Sequence, residues 1–206
     1  MTSFGVVARV RRVLSQAAGK KVKVGHCGTL DPFATGLLVL VTGKETKSAE
    51  TFMKLDKVYE ATIKLGHTST TGDPEGDIVD TSDTVPSEEQ VKRALETFVG
   101  QIEQVPPSFS AIKIDGQRAY KLARAGEVVE IPKRIVTIHS LELIAYAYPE
   151  VRIRTHVSSG TYIRTLAEDI GRALGVGAYC TELRRTKIAD WSVEDAKTLA
   201  DFGIES

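Results

Sequence analysis

Gly25-His26-Cys27-Gly28-Thr29-Leu30-Asp31-Pro32-Phe33-Ala34-Thr35-Gly36-Leu37-Leu38 is the stretch on which the reading of this chain turns. It holds one carboxylate, Asp31, in a segment too glycine-rich and polar for helix. The apolar run Leu37-Leu38-Val39-Leu40-Val41 follows directly and reads as a buried strand. Pro32 fixes its own φ and pushes Asp31 out of the helical region. Asp31 is therefore expected to project from a constrained loop at a sheet edge, a common mounting for a reacting group. An isolated Asp-Pro pair would read as a turn whose Asp caps its own backbone, so the rest of the chain has to carry the argument.

The 206 residues are enough to bury a sizeable core, and 42% hydrophobic with 26% charged residues is the composition of an ordinary globular protein. No apolar run approaches the ~20 residues of a membrane span, and the N-terminus lacks a signal-peptide pattern. Cys27 and Cys180 lack metal-ligand spacing and are too few for a disulfide framework, which suits a reducing cytoplasm. Formal net charge is zero, but the charges are segregated: Met1 to Glu60 carries 10 basic and 5 acidic residues. An acidic excess from Asp73 to Glu89 contrasts with basic clusters at Arg9/Arg11/Arg12, Lys20/Lys21/Lys23, Arg118/Lys121/Arg124, Arg152/Arg154 and Arg184/Arg185/Lys187. Such segregation permits a positive face on a neutral protein.

Thr2 or Ser3 caps a first helix that stops at Gly19, and Glu45 to Leu55 reads as a second helix. Lys57 to Gly66 alternates as a strand, and Ser87-Glu88-Glu89-Gln90 is a capping box opening a helix that ends at Gly100. Phe109 to Ile114 alternates toward an Asp115-Gly116 turn, followed by a short helix from Gln117 to Ala125. Strands are expected at Val128–Ile131, Ile135–Ala145 and Val151–Val157, then a helix from about Tyr162 to Leu174. A strand near Cys180–Lys187 and a helix opened by Ser192 complete an α+β chain with a mostly antiparallel sheet.

Five segments resemble, in order, the motifs of the tRNA pseudouridine-55 synthases of TruB type. The first is the Asp31 loop. The second is Lys57-Val58-Tyr59-Glu60 with Gly66, Thr71, Asp73 and Gly76; the third runs from Gln104 to Lys113 with Gly116, Arg118, Ala119, Tyr120, Ala123, Arg124 and Gly126. Ser159-Gly160-Thr161-Tyr162-Ile163-Arg164-Thr165-Leu166 is similar to the fourth and Leu183-Arg184-Arg185-Thr186 to the fifth. The resemblance spans Thr2 to about Ala196. It implies the pseudouridine-synthase fold, a large mixed sheet flanked by helices with a central RNA-binding cleft, as a single catalytic domain over residues 1–206.

The resemblance also implies roles. Asp31 is the nucleophile, and a carboxylate in a dry pocket needs a cation to stay ionised, which Arg164 would supply. Tyr59 stacks on the target uracil, Tyr162 and Leu183 line the base pocket, and His26 enters the tRNA T loop. Arg118, Arg124, Arg184 and Arg185 are candidate phosphate contacts, and Asp73 is read as shaping its own turn. The reaction moves uracil from an N-linked to a C-linked attachment with no redox change, so no metal and no cofactor is expected. Attack at C6 of the base or at C1′ of the sugar both remain open. The expected substrate is the T stem-loop of tRNA, met by a cytoplasmic monomer without guide RNA, obligate protein partner or membrane.

Four departures stand out. The Lys-Pro-x-Gly stretch usual before Thr-Ser and the C-terminal RNA-binding (PUA) domain of many members lie outside these 206 residues, and Cys27 replaces the usual Thr. Asp190-Trp191 stands where Gly-containing residues are common. Two other readings compete: a tRNA-binding folding chaperone with incidental or no catalysis, and a guide-RNA-dependent relative. A thiolate mechanism at Cys27 would need a base, and only His26 is near in sequence.

Overall fold

The structure is a computed structural model that describes residues 1–204 except 111, 115, 120–121 and 123–130. It comprises two compact units: Met1–Tyr59 with Arg184–Ser206, and Glu60–Leu183.

The first unit opens with helix α1 (Ser3–Ala17), whose N-cap Thr2 accepts from the Gly5 N–H. Val7 and Val10 are its buried positions, and it packs on strand β1 (Val24–His26). β1 pairs antiparallel with β3 (Leu40–Thr42), and the short β2 (Thr35–Gly36) lies between them in sequence. The expected strand Leu37–Val41 is thus broken into pieces. Its first residue is drawn to another strand, the Leu37 N–H donating to the Arg185 carbonyl at 2.8 Å. The helix expected over Glu45–Leu55 is likewise divided into a 3₁₀ segment, Gly43–Ser48, and the short α2 (Ala49–Met53). Strand β4 (Lys57–Leu65) starts in this unit, and β12 (Ala178–Ile188) ends in it, pairing with β13 (Trp191–Ser192). The helix expected after Ser192 is only a 3₁₀ turn, Val193–Asp195, because Ala196 is extended.

The second unit carries the strand order β12-β4-β11-β10-β7, with β7 at Gly100–Gln104, β10 at Arg134–Ala147 and β11 at Glu150–Val157. The β7–β10 and β10–β11 pairs are antiparallel. Strand β11 buries Val151, Ile153, Thr155 and Val157 on one face, the period-2 pattern that identified it in the sequence. A hairpin of β5 (His67–Ser69) and β6 (Ile78–Asp80) carries the acidic turn region. Helix α3 (Glu88–Glu96) begins with the expected capping box, Ser87 and Gln90 exchanging bonds. It packs on β10 and on helix α4 (Ile163–Ala173), which buries Ile163, Leu166, Ala167 and Ile170 at helical spacing. Strands β8 (Lys113–Ile114) and β9 (Gln117–Arg118) pair across Gly116. The helix expected over 117–125 and the strand over 128–131 fall mostly outside the described residues. The class is α+β with a mostly antiparallel sheet, as the sequence implied. Among the described residues no helix is long and apolar enough to cross a membrane.

Gln104, almost fully buried, fixes where α4 begins. Its Oε1 accepts from the Tyr162 N–H at 2.7 Å, and its Nε2 donates to the Tyr162 carbonyl at 3.0 Å. Gln104→Leu strips a buried N–H of its partner and is expected to cost about 1–3 kcal/mol, read as a lower thermal midpoint. An unchanged midpoint would show that the bond contributes nothing.

Candidate active site

In the first unit, β1 and β3 hold the two ends of the Asp31 loop. Val24 faces Thr42 and His26 faces Leu40, and the Cys27 N–H donates to the Val39 carbonyl at 2.9 Å. Ser3, buried at the start of α1, ties down the middle: its Oγ accepts from the Leu30 N–H at 2.9 Å. After Asp31, the Ala34 N–H returns to the Asp31 carbonyl at 3.0 Å and closes a turn. Asp31 is half-buried on this loop, the mounting its sequence predicts. His26 meets the exposed Phe4 edge-on, with ring centroids 5.4 Å apart.

The loop is then clamped by Arg185. In the parallel β2–β12 pair, Arg184 faces Thr35 and Arg185 faces Gly36. The Arg185 guanidinium is 1% exposed and donates to the carbonyls of Leu37 (Nε, 2.8 Å), Gly28 (3.2 Å) and Thr29 (3.4 Å). The charges of Arg185 and Asp31 both act on the phenol of Tyr59 on β4. Burial pushes the Tyr59 phenol above its ordinary pKa and the Asp31 carboxylate adds to that, while Arg185 opposes both. Asp31, Tyr59 and Arg185 are therefore brought together in this unit. Lys57, two residues before Tyr59, is buried too, its Nζ donating to the carbonyls of Leu55 (2.5 Å) and Met53 (2.6 Å). Burial, then the Arg185 charge, pull its pKa down to about 8 against a weaker opposing pull from Asp56.

In the second unit, Arg164 on the first turn of α4 is 3% exposed. It pairs with Asp73 Oδ2 at 3.0 Å and donates to the carbonyls of Thr71 and Phe109, both at 2.9 Å. Asp73 has two tasks. Its Oδ1 accepts from Thr71 Oγ1 (2.6 Å) and the Glu75 N–H (3.0 Å), shaping the turn as expected, and its Oδ2 holds Arg164. Tyr162 is half-buried at the head of α4, with the Arg134 guanidinium 5.5 Å from its ring centre. Leu183 is buried on β12.

Among the four candidate phosphate contacts, Arg185 is corrected: its donors are turned inward onto the loop and leave no exposed guanidinium for a phosphate. Arg184, its neighbour, is exposed. The Arg118 side chain and Arg124 lie outside the described residues. The sequence held a signal for this: in a strand, Arg185 shares a face with the apolar Leu183, and Arg184 does not. Ser3 and Gln104 had no such signal, because each is defined by backbone groups brought from elsewhere in the chain, while Lys57 is held by carbonyls only two and four residues away that no residue type marks.

The chain matches the TruB family pseudouridylate synthase N-terminal domain over residues 11–163 and the tRNA pseudouridylate synthase B C-terminal domain over residues 164–204. It is 53% identical over 177 residues to a tRNA pseudouridine synthase B of Burkholderia mallei, an alignment covering 86% of this chain and 59% of that protein. A protein of the same name from Phocaeicola vulgatus is 48% identical over 206 residues, covering 98% of this chain and 86% of that one. Among solved structures, a chain of a Cbf5-Nop10-Gar1 complex superposes with a TM-score of 0.70 at 31% identity, covering 93% of this chain and 46% of that one. A chain of an H/ACA RNP bound to a substrate RNA containing 2′-deoxyuridine gives 0.69 at 29% identity, covering 98% of this chain and 48% of that one. The chain belongs to the TruB family of pseudouridylate synthases. It spans about three fifths of the length of the Burkholderia relatives it matches.

Two predictions follow from the loop and its neighbours. Gly36 has φ +102°, and a Cβ there would lie 2.2 Å from the Arg185 carbonyl oxygen. Gly36→Ala is expected to cost about 2–4 kcal/mol in a denaturant titration, and a midpoint equal to that of the parent protein would contradict this packing. Lys57 gives a pH signature. Below about pH 8 it is protonated folded and unfolded alike, and the burial penalty is complete. Between about 8 and its ordinary value of 10.5 the unfolded chain holds more protons, so stability rises with pH. The denaturation midpoint of the parent protein should therefore climb relative to Lys57→Met across that range. A constant difference would place Lys57 at its ordinary pKa.

Proposed function

We propose that this chain is a tRNA pseudouridine synthase that isomerises the T-loop uridine at position 55. Support comes from the relatives named tRNA pseudouridine synthase B at 53% and 48% identity. The observation that carries the reading to a mechanism is the half-buried Asp31 on a loop pinned by Ser3 and Arg185, beside Tyr59. A nucleophilic carboxylate needs such a fixed backbone, because a misplaced oxygen loses the advantage of proximity.

In the reaction, the N1–C1′ bond of uridine breaks and a C5–C1′ bond forms; C5 loses a proton and N1 gains one. Electrons balance without an oxidant, and the protein supplies a nucleophile, a dry site and proton traffic. Asp31 is the nucleophile, and Arg164 is the cation assigned to keep it ionised. Tyr59 offers its ring face to the flipped uracil, with Tyr162 and Leu183 lining the base pocket and His26 entering the T loop. Arg184 remains a candidate phosphate contact. The T stem-loop is met through its shape and splayed bases, without guide RNA or an obligate protein partner, in the cytoplasm.

The test is incubation with an unmodified tRNA transcript and mapping of pseudouridine at nucleotide resolution. Signal at position 55 from the parent protein, absent from Asp31→Ala, is the expected result. Tight tRNA binding with no signal from the parent protein would leave a tRNA-binding chaperone, and signal only on adding a guide RNA would leave a guide-dependent enzyme.

A further inference from the structure

Arg185 is the largest of the fully buried side chains among the described residues, and the reaction chemistry outlined above gives it no part. Its contacts are distributed in a telling way. Gly28 and Thr29 precede Asp31, and Leu37 follows it, so one guanidinium bonds both arms of the loop that carries the carboxylate. The charge of the same group also acts on the Tyr59 phenol on β4. Its main chain is engaged independently, the Arg185 carbonyl accepting from the Leu37 N–H and the residue pairing with Gly36. The docking of the loop on β12 therefore does not depend on the side chain. What the side chain adds is the closure between the two arms, and a positive charge near Tyr59.

We propose that Arg185 is a positioning residue: its planar, multiply donating head ties the two arms of the Asp31 loop into one rigid group, so that the nucleophile meets the target base in a single geometry. This rests on the reading of the chain as a pseudouridine synthase. Only a guanidinium fits the task, since a lysine ammonium is a point donor without the planar fork needed to span separated acceptors. Charge alone is therefore not enough.

The test compares the parent protein with Arg185→Lys and Arg185→Met, using an unmodified tRNA transcript. Arg185→Lys retains the charge and the main-chain pairing, and it carries the test if Arg185→Met fails to fold. Arg185→Lys is expected to lower kcat about 100-fold with KM and tRNA affinity little changed, because a shift of the loop by about 1 Å disturbs attack and not docking. The amides of Leu30 and Ala34 should exchange with solvent faster while those of α1 and α4 do not. In Arg185→Met, Tyr59 should ionise at higher pH, resolved by subtracting the titration of matched Tyr59→Phe proteins, because Arg185 is what holds its phenol down.

Unchanged kcat in Arg185→Lys, or a loss confined to KM, would overturn the proposal. If the parent protein forms no pseudouridine, the functional reading fails by itself. Amide exchange and the Tyr59 titration then decide the positioning role alone: faster loop exchange supports it, and unchanged exchange and titration overturn it.

Discussion

A buried guanidinium is the constraint on which the Asp31 loop depends. Removing a cation from water is costly, and the cost is offset only when several acceptors with good geometry surround it. Arg185 meets that condition with three loop carbonyls. These partners fix the loop as strictly as the loop fixes them, because any shift of Gly28 or Leu37 leaves part of a buried charge without a partner. The main chain of Arg185 adds a separate demand at Gly36, which has φ +102° and where a side chain would meet the Arg185 carbonyl. Lys57 shows the reach of the charge: the Arg185 field joins burial in drawing its pKa down to about 8.

The second unit uses the same device with a different balance. Arg164 also gathers backbone carbonyls, from Thr71 and Phe109, but it has a carboxylate partner in Asp73. Asp73 is itself locked by Thr71 and by the Glu75 N–H, so the ion pair is preorganised by the turn between β5 and β6. Breaking one half of such a pair is far more costly than never having built it, as the other charge stays buried. In both units an arginine joins segments that are distant in sequence, and charge-assisted bonds to carbonyls do the joining.

The sequence made some of this legible and hid the rest for definite reasons. Local signals were readable: the Ser87 capping box, the alternation of β11 and the apolar stripe of α4 depend on neighbours a few residues away. The apolar run Leu37–Val41 was misjudged as one strand because its hydrophobicity does not show that the Leu37 amide is claimed by Arg185. Asp31 was picked out by motif resemblance, with its half-buried loop position following from Pro32 and the glycines. Arg185 reads as a phosphate contact in the sequence because cation clusters suggest surface, although its alternation with Leu183 points inward, where the structure places it. Arg164 could equally have been a surface cation one turn into a helix; only the fold reveals the acceptors that make it an interior one.

The bonds from Arg185 to Gly28, Thr29 and Leu37 span 148 to 157 residues of chain. Helix α1 and the β1–β3 pair precede β12 by more than 130 residues, so the clamp on their loop forms only after β12 has been made. The Asp31 loop is thus among the final parts of its unit to take shape, closed by a long-range contact whose loop entropy must already have been met. Until β12 has been made, the Asp31 carboxylate sits on a loop whose two arms are not yet tied together.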